Sequence, residues 1–188
     1  MTQHIDNKSP VEKQVNVAGD AHFTNKSRWQ KRFERLKEEV ENDKRYETFI
    51  EDFNDYNTIK DGIGLEQKLV DAGFSKRERI KALNFKDKYA RRVVKGEMYL
   101  SQQEIDVEIF SLIDSNFYTY VFPKIEKNEE KSLVLQSLME KVIQPILEIL
   151  NREGESDNYL NYNSNHIYGM IYFLTGKCHL NWKDYDTI

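Results

Sequence analysis

Residues 165–182 read NHIYGMIYFLTGKCHLNW, and the way this run folds decides the class of the whole chain. Ile167, Met170, Ile171 and Leu174 recur at i, i+3, i+4 and i+7, the spacing of one helix face. Asn163, Ser164 and Asn165 stand just ahead, where a side-chain oxygen can accept from first-turn amides that have no helical partner. Gly176 falls where a left-handed residue is expected to end the helix. Tyr168, Tyr172 and Phe173 take the other sides, so the helix is apolar nearly all round and belongs in a core or an interface. Gly169 costs roughly 1 kcal/mol against alanine in mid-helix, which predicts that another backbone comes close there. The Lys177-Cys178-His179-Leu180-Asn181-Trp182 run that follows is too short for a further domain and too aromatic for a loose tail.

Upstream, the same period recurs. Residues 154–162 are polar and Asn-rich, a loop leading into the C-terminal helix. Before them Leu135, Leu138, Val142, Ile146, Ile149 and Leu150 mark a helix that Asn128 can cap, with a bend or break near Gln144 because of Pro145. Ser101-Gln102-Gln103-Glu104 reads as a capping box. It opens a helix whose apolar face runs through Ile105, Ile109, Leu112, Ile113, Phe117, Tyr120 and Val121 until Pro123 stops or kinks it. Ser75-Lys76-Arg77-Glu78 is a second box, opening a helix toward Gly96. Leu65, Leu69 and Val70 give a short helix stopped by Gly73. Trp29, Phe33, Leu36 and Val40 form another stripe, and Tyr46, Phe49, Ile50 and Phe53 repeat it out of phase. These are two helices broken near Asn42-Asp43, or one bent helix. Glu38, Glu39, Glu41, Glu47, Glu51 and Asp52 lie between the stripes as a solvated face.

No sustained alternation suggests a sheet. The expected fold is all-α: a single multi-helix domain over 27–188, about six or seven helices, behind a flexible leader at 1–26. The leader is polar and disordered, or else its Val15-Asn16-Val17 forms a short strand pairing copies into a homo-oligomer. With 188 residues the chain has ample length for one core. It has no apolar run long enough for a membrane span, no signal-peptide pattern, and a single cysteine that cannot form an internal disulfide. Those features point to the cytoplasm.

The clearest electrostatic feature lies at 76–95, with nine Lys/Arg against two acids in a chain of net charge −4. Arg77, Arg79, Lys81, Lys88, Arg91, Arg92 and Lys95 are candidate docking residues. Such a helix suits an acidic protein surface or, alternatively, nucleic-acid phosphate. The bland reading is a solubilising face that also pairs with the acidic region at 38–55. Phe85 and Tyr89 sit among the cations but are expected in the core.

Chemical motifs are sparse. There is no HExxH, CxxC or GxSxG, and Gly62-Ile63-Gly64 lacks the residues of a phosphate cradle. Cys178 and His179, with His166 approaching in space, could make a nucleophile pair or a partial metal site. Packing is the stronger expectation, so no catalytic, cofactor or metal residue is assigned.

The runs HIYGMIYFLTGKCHLNW at 166–182 and KDGIGLEQKLVDAGFS at 60–75 resemble the C-terminal domain shared by bacterial ABC-three-component conflict systems, over about 28–186. The resemblance implies a non-enzymatic adaptor working with an ABC-type ATPase and a middle component in anti-phage or anti-plasmid defence. It also marks His166, Gly169, Phe173, Gly176, Cys178, His179 and Trp182 as the core or interface residues that define the domain.

Overall fold

The computed structural model describes residues 26–60, 62–94 and 98–185. Among them the order is α1 (Arg28–Glu41), α2 (Glu51–Asn57), α3 (Leu65–Asp71), α4 (Lys76–Val94), α5 (Leu100–Asn116), α6 (Phe122–Glu126), α7 (Lys131–Ser137), α8 (Gln144–Glu153) and α9 (Ser164–Gly176). A π-helical stretch π1 (Phe117–Val121) joins α5 to α6, and π2 (Leu138–Ile143) joins α7 to α8. Each trio is one continuous rod, so the described residues form seven helical rods and no strand. The leader, its proposed strand and Lys95 lie outside the described residues.

The core forms where α9 is enclosed by α4, α5 and π2. Ile167, Gly169 and residues 170–175 are all buried, as expected for a helix apolar on every side. Asn163 is the N-cap: its side chain accepts from the Asn165 amide at 3.0 Å, and His166 Nδ1 accepts from the Asn163 amide at 3.2 Å. The pair forms a capping box in which an imidazole replaces the usual Glu or Gln.

Several expectations are corrected, each for a local reason. Gly176 does not take the left-handed position; Cys178 does, at φ 70°. The Cys178 amide donates to Thr175 O and the His179 amide to Leu174 O, a Schellman ending whose left-handed residue comes two positions after the glycine. Gly73 does end α3 as expected, at φ 72°. Ser101 does not cap α5, because it lies inside the helix; its amide and hydroxyl both bond to Glu39 of α1. Gln103 is likewise diverted. Its Oε1 accepts from the Ile50 amide at 2.9 Å and its Nε2 donates to Thr48 O at 3.0 Å, clamping the loop before α2. Tyr46, Phe49 and Ile50 therefore precede α2 rather than forming its stripe, and Phe49 stacks on Phe53 at 5.0 Å.

Neither proline ends its rod. A proline removes an amide and crowds the carbonyl one turn back, and widening to i→i+5 bonds just ahead relieves both effects. The Phe122 amide reaches Phe117 O before Pro123, and the Gln144 amide reaches Met139 O before Pro145. Asn128 caps nothing: at φ 51° it terminates α6 by donating its amide to Ile125 O at 2.9 Å.

Candidate functional site

The seam between α4 and α9 is the most extensive helix contact in the fold. It closes at Gly169, where an added Cβ would lie 2.8 Å from the Phe85 carbonyl oxygen and 3.2 Å from Tyr89 Cβ. The backbone approach read from that glycine is real, and it fixes α4 so that its opposite face points outward.

That outer face carries the cations. Arg77, Lys81, Lys88 and Arg91 are exposed and fall at i, i+4, i+11 and i+14, one row about 21 Å long. None of the four enters an ion pair among the described residues, and no ion pair joins α4 to residues 38–55. Arg91 Nε donates to the Asp87 carbonyl oxygen, and Lys81 lies 5.5 Å from the Phe85 ring. Two other cations of α4, Arg79 and Arg92, are tied into the fold. Arg79 donates to Phe74 O at 2.8 Å, and Arg92 lies 5.2 Å from the Tyr162 ring centroid. Phe85 is half-buried and stacked on Tyr168 at 5.9 Å, and Tyr89 is buried, so both aromatics belong to the core.

Behind the row lies a polar centre that the sequence reading missed. Asp106 of α5 is fully buried; it accepts from Tyr89 Oη at 2.9 Å and Tyr162 Oη at 2.6 Å. Burial pushes its carboxyl up to about 6 despite both phenol donors and Arg92. The same burial, with Asp106 adjacent, raises both phenols well above their usual value. The arrangement staples α4, α5 and the loop before α9 together. Its signal was a charged residue four after Gln102 and four before Phe110, inside an apolar stripe. Lys68 was missed likewise: it is fully buried and donates to Asn181 Oδ1 at 2.7 Å, tying α3 to the C-terminal run.

The family-marked residues divide into four groups. Gly169 and Phe173 sit in the seam, with Phe173 edge-on to Tyr89 at 5.2 Å and Gly176 against Leu65 and Lys86. Trp182 is buried among Phe74, Phe117 and Tyr172, and its indole N–H donates to Thr175 Oγ1 at 3.0 Å. His166 stands at the start of α9, where burial, with Arg92 and Lys88 beside it, lowers its pKa. Cys178 and His179 lie past the other end of α9, about 18 Å away along the helix rise, so the two imidazoles do not meet. Cys178 Sγ points to the Ile63 carbonyl oxygen at 3.5 Å. Both residues line a cleft of about 700 Å³ that also holds Asp52, Asp55 and Asp114. Among the described residues no three His, Cys, Asp or Glu side chains gather as metal ligands, and no helix is long and apolar enough to cross a membrane.

A strand-free bundle sealed by its own C-terminal run is the form taken here by a C-terminal domain of the ABC-three component systems. Within that class the chain belongs to one family: the model of C-terminal domain 9 of the ABC-three component (ABC-3C) systems matches residues 64–182. The match begins at Gly64, so α1 and α2 precede it, although α1 packs on α5 inside the matched region. No curated protein and no solved structure matches the chain.

Proposed function

We propose that this protein is a non-enzymatic adaptor of an ABC-three-component conflict system, acting in the cytoplasm against phages or plasmids. It docks through the α4 cation row onto an acidic surface of the ABC-type ATPase or the middle component. One observation carries this reading: four exposed cations share a helix face and none has an ion-pair partner among the described residues. Such a surface raises association rate and selects partners of opposite sign. The aromatics nearest the row are committed to the core, so nucleic acid would find phosphate contacts without stacking platforms. That favours a protein partner.

The test is co-expression with the ATPase and middle component, followed by affinity capture. Changing Arg77, Lys81, Lys88 and Arg91 together to Glu is expected to reduce capture at least tenfold, with the circular dichroism spectrum unchanged. Arg92 is left intact because it packs on Tyr162. Undiminished capture refutes the docking surface. Salt-sensitive retention of the wild type on DNA or RNA, lost in the same variant, would favour the nucleic-acid adaptor instead.

A further inference from the structure

Where α4 passes the amino end of α9, a cavity of about 500 Å³ gathers hydrogen-bond donors and no acid. Lys88 and Arg92 of α4, one turn apart, line it with Asn163, Asn165 and His166 at the start of α9. Phe85, Tyr89 and Leu160 make its apolar wall, and no Asp or Glu lines it among the described residues. Tyr162 positions the guanidinium: Arg92 lies 5.2 Å from the centroid of that ring, which in turn packs on His166 at 5.5 Å. Stacking uses the face of a guanidinium and leaves its in-plane N–H groups for an acceptor. Lys88 is exposed, and neither cation enters an ion pair or hydrogen bond among the described residues. The imidazole is oriented as well. Its Nδ1 accepts from the Asn163 amide at 3.2 Å, so the ring hydrogen sits on Nε2. Unlike the Nε2 of His179, that nitrogen keeps access to solvent, and the ring is only half-buried. Burial, with Arg92 and Lys88 beside it, lowers the His166 pKa, as expected in an uncompensated positive field.

We propose that this cavity binds a small phosphate ester, its phosphate held by Lys88, Arg92 and the His166 Nε2–H and its organic part lying on Phe85 and Leu160. The ligand is an anion because two fixed positive charges and an N–H donor meet in a space without a carboxylate. The first turn of α9 adds partial positive charge on the same side. It is a phosphate because a monoester is close to a dianion near neutral pH, which balances Lys88 and Arg92, whereas a carboxylate would leave one of them uncompensated. It is a small molecule because the cavity has the volume of a small-ligand site, and Arg77 and Lys81, which a polyanion would follow along α4, lie outside it. Lys88 also belongs to the α4 row, but Arg92 and His166 do not. Binding is measured on the chain alone, so its failure would leave the adaptor reading standing, and loss of partner capture would leave the cavity standing.

The test uses the full chain at about pH 7.5, where a monoester is mostly dianionic. Phenyl phosphate, inorganic phosphate and benzoate are titrated by calorimetry, and the histidine ring nitrogens are followed by NMR. Phenyl phosphate is expected to bind saturably at one site, about tenfold tighter than benzoate, because benzoate forgoes charge-assisted hydrogen bonds. It should shift the His166 Nε2 resonance and leave that of His179 in place. Inorganic phosphate should compete for the same site more weakly, since it leaves the apolar wall empty. His166→Glu keeps a residue that capping boxes ordinarily use and sets a carboxylate among the cations; it should weaken binding at least tenfold with Tm unchanged. Lys88→Gln, at an exposed position, should weaken binding about threefold or more, and it carries the test if His166→Glu does not fold. Four results would overturn the proposal: no saturable binding of phenyl phosphate, benzoate binding as tightly, an unmoved His166 resonance, or full affinity in Lys88→Gln. A 5′-phosphorylated oligonucleotide that binds at least tenfold tighter than phenyl phosphate would also overturn it, by assigning the cavity to a nucleic-acid end.

Discussion

Replacing Gly169 with Ala sets two effects against each other, and the structure decides between them. Helix propensity alone favours alanine by about 1 kcal/mol. The new methyl, however, would lie 2.8 Å from the Phe85 carbonyl oxygen and 3.2 Å from Tyr89 Cβ. The nearer atom is backbone, so relief requires α4 and α9 to separate along their whole seam. Overpacking a rigid site of this kind costs about 3 kcal/mol, at the upper end of the usual range. The net loss is then about 2 kcal/mol, which for a chain of this size lowers Tm by about 4–8 °C. Paired urea and thermal unfolding of wild type, Gly169→Ala and Gly62→Ala would measure it. Gly62 has open space around its position, so its variant is expected to be neutral or slightly stabilising. If Gly169→Ala is as stable as wild type, the close approach does not limit the packing and the seam is not the closure of this fold.

Asp106 makes stability depend on pH in an unusual direction. Its folded-state carboxyl is raised from 3.8 to about 6, so the folded state holds the proton more tightly than the unfolded chain does. The associated stability is complete below about pH 3.8, declines as pH rises through about 6, and is flat above that. A shift of this size corresponds to about 3 kcal/mol as an upper bound. Asp106→Asn should flatten that portion of a stability-versus-pH curve taken from urea unfolding; parallel curves would refute it. Trp182→Phe removes the indole donor to Thr175 and leaves a small void among Phe74, Phe117 and Tyr172. Calorimetry should show about 2 kcal/mol of lost stability, and an unchanged Tm would mean that the C-terminal run does not seal the core.

Much of the fold was legible because it is written in local periods. The stripe through Ile167, Met170, Ile171 and Leu174, the asparagine cap and the Gly169 contact are all properties of one helix and its nearest neighbour. Long-range competition decided what was not legible. Ser101 resembles a cap by spacing, yet Glu39, 62 residues away, takes both of its groups. Gln103 falls in the same box by spacing and instead holds the loop before α2. The buried roles of Lys68 and Asp106 depend on Asn181 and Tyr162, which no window around either residue contains. The prolines pointed to the right places, but neither the stop at Pro123 nor the break at Pro145 occurs, because sequence shows the clash and not the wider turn that absorbs it. For the candidate surfaces, the cations of α4 were visible in composition. Which of them face outward, and that Asp55, Asp114 and His179 share a cleft, required the packed helices.

The backbone at Cys178 has a practical consequence. The chain's only thiol belongs to the positive-φ residue that stops its central helix, nearly buried yet on the wall of the cleft beside His179. The rate at which a small disulfide labels the native protein therefore reports how closely the final turn shields that sulfur, with no engineered probe. Any binding event that steadies the turn or fills the cleft should slow the labelling.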